Sequence, residues 1–277
     1  MAKKSYEETL EQLSFIESGT SKFPLIETHC HLDYIKSITP SENVKRCQKI
    51  GIEKLITISV EPTNLDTALD LTNTFENVFC SQGVHPHDAK DWSDSVMDKV
   101  RKNALASKKV VAIGEIGLDF HYDNSPRELQ MKAFEIQLGL AVELNLPVII
   151  HTREAEEETA AILKNFAGKV RGVAHSFTSS LKLAEYLIDS GFYLGFNGIV
   201  SFNKAEDVRA ALSMTPLERI LLETDSPFLT PVPHRGKENA PIYLPFVAQK
   251  VLEVKGISPE IGLPSFYQNT LNLFHFC

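Results

Sequence analysis

The chain has 277 residues, 43% of them hydrophobic and 23% charged, which is the composition of a soluble globular protein with a sizeable core. Its formal charge of −8 argues against bulk electrostatic capture of nucleic acid or of an anionic membrane. No apolar run reaches the ~18 residues of a membrane span, and the polar start has no secretory pattern, so a cytoplasmic protein with no membrane partner is expected.

Residues 1–22 read as an N-terminal helical extension, with Tyr6, Leu10, Leu13, Phe15 and Ile16 at roughly helical spacing until Gly19-Thr20-Ser21 breaks the pattern. Residues 23–277 read as one domain. Strands are predicted at Leu25–His29, Lys54–Val60, Val78–Val84, Val110–Ile116, Pro147–His151, Gly172–His175, Tyr193–Asn197 and Ile220–Asp225. Most are continuous apolar runs, as strands buried on both faces should be. Amphipathic segments separate them: Pro40–Ile50, Asn64–Thr74, Ser93–Ala106, Pro126–Leu144, Ala155–Phe166, Ser180–Asp189 and Ala205–Met214, with Pro241–Val254 after the last strand. Ser125-Pro126-Arg127-Glu128 has capping-box spacing. Eight strands alternating with helices over about 250 residues is the count of an α/β (β/α)8 TIM barrel. The competing open, doubly wound sheet lacks its Gly-x-Gly-x-x-Gly turn here. The four cysteines, Cys30, Cys47, Cys80 and Cys277, form no Cys-x-x-Cys pair, so thiols are expected rather than disulfides or a zinc knuckle.

A barrel places its chemistry at the C-terminal ends of its strands. His29 and His31 end the first strand, His85 and His87 follow the third, Glu115 lies in the fourth, His151 ends the fifth, His175 the sixth, and Asp225 the eighth. A single histidine there is more often a hydrogen-bonded loop residue than a ligand. Six of nine histidines at one rim, with carboxylates among them, make a mixed nitrogen and oxygen site suited to divalent metals.

His29-Cys30-His31-Leu32-Asp33, Gly83-Val84-His85-Pro86-His87, Gly114-Glu115-Ile116-Gly117-Leu118-Asp119, Leu222-Glu223-Thr224-Asp225-Ser226-Pro227 and Pro233-His234-Arg235-Gly236-Lys237 together resemble, in order, the signatures of the TatD-type deoxyribonucleases. These are metal-dependent members of the amidohydrolase-type barrel superfamily. The resemblance runs from about Leu25 to the Asn269–Phe274 tail. It departs at residues 1–22, longer than a usual family start, and at Ser179, where the family commonly has Gly. It implies two divalent ions per chain (magnesium, manganese or zinc), one held by His29 and His31 and a second by His151 and His175. Glu115 would bridge them, and Asp225 would bind the first and serve as general base. Two dications with two ionised carboxylates leave about +2, enough to receive a phosphate in an acidic protein.

Arg153, Arg235 and Lys237 are the cations expected to meet substrate phosphates. His85 is expected to touch substrate or a further ion, and Phe120 and Tyr122 to stack a terminal base. The expected function is metal-dependent hydrolysis of DNA phosphodiesters, as an exonuclease on single-stranded or frayed ends, with no obligate protein partner. Two alternatives stand beside it: a metal-dependent acyl or amide hydrolase such as a D-aminoacyl-tRNA deacylase, and a non-catalytic nucleic-acid-binding protein.

Overall fold

Strands form where apolar and β-branched residues run without a polar break, because a strand covered on both faces offers no side for polar groups. The structure, a computed structural model, describes residues 4–276. Eight parallel strands lie side by side in chain order: β1 (Leu25–Cys30), β2 (Ile52–Thr57), β3 (Val78–Gln82), β4 (Val110–Asp119), β5 (Val148–Arg153), β6 (Gly172–Ala174), β7 (Tyr193–Phe196) and β8 (Ile220–Leu222). Between them run α1 (Pro40–Lys49), α2 (Leu65–Thr74), α3 (Asp94–Ala106), α4 (Arg127–Leu144), α5 (Glu156–Asn165), α6 (Leu181–Asp189) and α7 (Glu206–Met214). Two more, α8 (Leu244–Lys255) and α9 (Pro259–Leu273), follow β8.

The seam between β8 and β1 closes the expected (β/α)8 barrel. The Asp225 N–H donates to the His29 carbonyl at 2.9 Å, and the His31 N–H donates to the Ser226 carbonyl at 2.8 Å. The Thr28 hydroxyl donates to the Leu222 carbonyl at 2.9 Å. Glu27, fully buried at the seam, accepts from the N–H groups of His29 at 3.0 Å and Thr224 at 2.9 Å. Burial pushes its carboxyl up to about 8.

Alternation along the strands divides the core. One set of residues, including Leu55, Val148, Ile150 and Leu194, packs beneath the helices. The other, Ile56, Phe79, Val111, Ile149, Val173, Tyr193 and Leu221, forms a separate cluster with Leu273 and Phe274 from the end of α9. This second layer fills the barrel below the rim.

The extension departs from expectation. Its helix covers only Tyr6–Leu10. Leu13, Phe15 and Ile16 are buried as their spacing implied, yet Ile16–Glu17 pairs with Thr20–Ser21 as a hairpin. Ser18 and Gly19 take φ of 54° and 78°. Two consecutive left-handed residues make a tight turn that commits its flanks to antiparallel pairing. The extension packs against α1 and the segment that leads from β8 into α8: the Arg46 guanidinium lies 5.8 Å from the Tyr6 ring, Thr9 Oγ1 lies 2.8 Å from His234 Nε2, and the Tyr6 hydroxyl donates to the Ile242 carbonyl at 2.8 Å.

Ser125 does not cap α4. Its hydroxyl donates to the His87 carbonyl at 2.7 Å and accepts from the Lys90 N–H at 3.2 Å, fixing the turn after β3. Cys30, Cys47 and Cys80 are free and buried; Cys277 lies outside the described residues. Among the described residues no helix is long and apolar enough to cross a membrane.

Lys109, at the root of β4, donates its ammonium to the carbonyls of Thr72, Phe75 and Glu76 at 2.8, 2.9 and 3.0 Å. These acceptors lie at and just past the C-terminus of α2, where a cation is also favoured by the helix dipole. Lys109→Met is expected to cost about 2 kcal/mol, the scale of hydrogen bonds to a charged donor. The shift in urea midpoint measures it, with the adjacent exposed Lys108→Met expected to change nothing.

Candidate metal centre

β1 delivers His29 from within the strand and His31 one period later, so both rings face the same side. Between them and the other strand ends lies Glu115, buried in the middle of β4. Its Oε1 lies 2.7 Å from His175 Nε2, 3.1 Å from His151 Nδ1 and 3.4 Å from His85 Nε2. Its Oε2 lies 3.4 Å from His29 Nε2. Asp225 Oδ1 lies 3.5 Å from His31 Nε2 and 3.7 Å from His29 Nε2. All six residues predicted as ligands therefore meet at one point, with His85 beside them.

Burial alone would push the Glu115 carboxyl up. The imidazoles of His175, His85 and His151 outweigh it and hold the group well below the usual carboxylate range. Asp225 is likewise lowered, burial being overcome by His31, His175 and His29. Burial pushes His85 down to about 4. It also lowers His29, helped by His175, whose ring stacks on it at 3.8 Å with 9° between planes.

The donor set fits divalent ions. Both ring nitrogens of His29 and both of His175 are buried with no hydrogen-bond partner, and buried polar atoms are rarely left so. His29, His31 and Asp225 present ligand atoms close enough to share one ion, as do His85, Glu115 and His151, and His29, His175 and Glu223. His31 Nδ1 faces the Ile58 carbonyl at 3.3 Å, so it carries the proton and leaves Nε2 a lone pair. His175 Nδ1 lies 3.5 Å from Glu223 Oε1, without a hydrogen bond between them. Glu223 is held by the Ser176 N–H at 2.6 Å, and Gly195 leaves the space its side chain occupies. His85 differs. Its Nδ1 accepts the His87 N–H at 3.1 Å, so the neutral ring bears its proton on Nε2 and presents a donor, not a lone pair.

The cluster floors a cavity of about 750 Å³ walled by Tyr34, Tyr122, Arg153, Ile199 and Phe228. Three non-glycine residues on its lining, Ser176, Asp225 and Leu229, take φ of 47°, 55° and 58°. Such strain gathers at sites where function fixes the backbone. The Arg153 guanidinium sits over the Tyr122 ring at 4.7 Å.

Other predicted contacts are not brought to the cavity. Arg235 and Lys237 are exposed and absent from its lining. Arg235 stacks 3.8 Å from the Phe202 ring instead, and the Lys237 carbonyl accepts from Thr230 at 2.6 Å, so their loop folds back on itself. His234 is buried under the extension, against Tyr243 and Phe246. Phe120 is buried beneath Arg127, leaving Tyr122 as the exposed aromatic of that pair. Sequence reasoning gave no role to Asp119, although it follows Glu115 by four residues on the same strand and therefore faces the same way.

Residues 26–275 match the family model described as TatD related DNase. An uncharacterised metal-dependent hydrolase of Bacillus subtilis, YabD, is 36% identical over 252 residues, covering 90% of this chain and 98% of its own. A Pantoea ananatis protein named 3′-5′ ssDNA/RNA exonuclease TatD is 35% identical over 240 residues, covering 83% of this chain and 91% of its own. The solved structure of YjjV, a TatD homologue from Escherichia coli, superimposes with a TM-score of 0.85 at 29% identity, covering 91% of this chain and 98% of that one. By motif order, barrel topology and extent of similarity, the chain is a metal-dependent hydrolase of the TatD-related DNase family.

Proposed function

We propose that this hydrolase removes nucleotides from single-stranded or frayed DNA ends, using two divalent ions held by His29, His31, Glu115, His151, His175 and Asp225. The observation that carries the reading is the convergence of unpartnered, buried imidazole nitrogens on a carboxylate at the floor of an open cavity. The name of the Pantoea ananatis relative supports the substrate class. When bound, the ions polarise the phosphodiester and lower the pKa of a water.

The chain's own groups do the rest. Asp225 is held ionised and accepts the proton of the attacking water. His85 offers its Nε2–H to a phosphate oxygen, as a neutral donor that stays neutral at physiological pH. Arg153 is the cation on the cavity wall, and Tyr34, Tyr122 and Phe228 supply aromatic faces for bases. Arg153→Ala is expected to raise KM for oligonucleotides about tenfold with kcat nearly kept, as for lost ground-state binding; Arg235→Ala is the control expected to leave both unchanged.

The direct test is release of mononucleotides from end-labelled single-stranded DNA by metal-stripped protein given magnesium, manganese or zinc. Laddering from one end is expected. Two bound ions per chain without cleavage would move the substrate to an acyl ester, with mischarged tRNA next.

A further inference from the structure

Asp119 ends β4 with its carboxylate buried and used only as an acceptor. Its Oδ1 accepts the N–H groups of His121 at 3.1 Å and Tyr122 at 3.0 Å. Its Oδ2 lies 2.9 Å from His151 Nε2 and 3.1 Å from His87 Nε2. Gln130 clamps the backbone behind it, accepting the Asp119 N–H at 2.8 Å and donating to the Asp119 carbonyl at 3.1 Å. An ionised carboxylate has no proton to give, so both rings must turn an N–H towards it. In neutral His151 the proton is then on Nε2, and Nδ1 is a lone pair. That lone pair faces a second acceptor, Glu115 Oε1, at 3.1 Å. Two acceptors facing each other are reconciled by a cation: a second proton on the ring in the ion-free protein, or a divalent ion in that proton's place.

We propose that Asp119 is a positioning residue that locks His151 with its proton on Nε2, so that Nδ1 is the atom offered to a divalent ion beside Glu115. The inference rests on the metal-binding reading above. It assigns Asp119 the part that the Ile58 carbonyl plays for His31, but through the opposite ring nitrogen.

The tautomer gives an unusual ranking of variants. In Asp119→Asn the amide oxygen must keep accepting from Tyr122 and His121, which leaves the NH2 facing His151. Nε2 then becomes an acceptor and the proton moves to Nδ1, closing the ligand atom. In Asp119→Ala water enters and either tautomer survives.

The experiment titrates metal-free protein with zinc against a chromophoric chelator, alongside thermal melts of the metal-free variants. Asp119→Asn is expected to weaken one of the zinc sites by roughly 10- to 100-fold, the usual cost of losing a group that orients a ligand. The loss should equal or exceed that in Asp119→Ala, with stoichiometry at saturating zinc unchanged. Wild-type affinity in Asp119→Asn, or a larger loss in Asp119→Ala than in Asp119→Asn, overturns the proposal. So does a zinc equivalent missing at saturation, which would make Asp119 itself a ligand. Nitrogen-15 imidazole spectra of zinc-loaded wild-type protein need no variant. His151 protonated at Nε2 and coordinated at Nδ1 supports the proposal, and the reverse overturns it while leaving the metal reading intact. Wild-type protein that binds no zinc, magnesium or manganese overturns both.

Discussion

Glu115→Ala is expected to abolish hydrolysis, lowering turnover by more than the ~100-fold that loss of a merely supporting residue costs. Glu115 is within 3.4 Å of nitrogens from His29, His85, His151 and His175, so no other side chain touches both halves of the cluster so widely. Without it, four imidazoles lose the one carboxylate they share, and cations brought there repel one another more strongly. The measurement is turnover on end-labelled single-stranded DNA together with metal content by elemental analysis. Folded Glu115→Ala protein that turns over like wild type would sink the two-ion reading.

Asp225→Asn tests proton transfer separately from assembly. The amide keeps the size of the carboxylate and an oxygen towards His31, but it cannot accept the water's proton. A fall in kcat of ~10² to 10⁴, the usual contribution of a general base, is expected with KM changed much less. Equal losses in oligonucleotide affinity and in turnover would instead assign Asp225 a structural part in the loop that leaves β8.

The histidines were legible because two local rules coincide. Buried parallel strands write themselves as apolar runs, and barrel chemistry collects where those runs end. His29, His31, His151 and His175 needed no knowledge of distant residues to be placed at one rim. Arg235 and Lys237 lie away from the cavity for the opposite reason. They stand on a loop whose path is set by Phe202, Thr230 and the buried His234, partners that no local pattern announces. The extension was misread because the Ser18-Gly19 turn overrode an apolar spacing equally suited to a helix. The helix α9 is hard to read locally because it holds Pro264, and proline normally argues against helix. The distinct state of His85 depends on one backbone N–H, from His87, and so required coordinates.

The seam between the first and last strands gives this architecture a built-in order of events. Glu27 and Thr224 are 197 positions apart, and their neighbours His29, His31 and Asp225 join across the same gap. Contacts of such long sequence separation carry a large loop-closure entropy and form slowly in folding. A chain emerging from the ribosome thus exposes its first histidines long before the acidic partner that completes them has been made. On the reading proposed for Asp225, an unfinished copy, or one cut before the eighth strand, lacks the group that takes the water's proton. The circular closure of the barrel thereby ties the site to both ends of the fold, so that on this reading hydrolysis waits for the eighth strand.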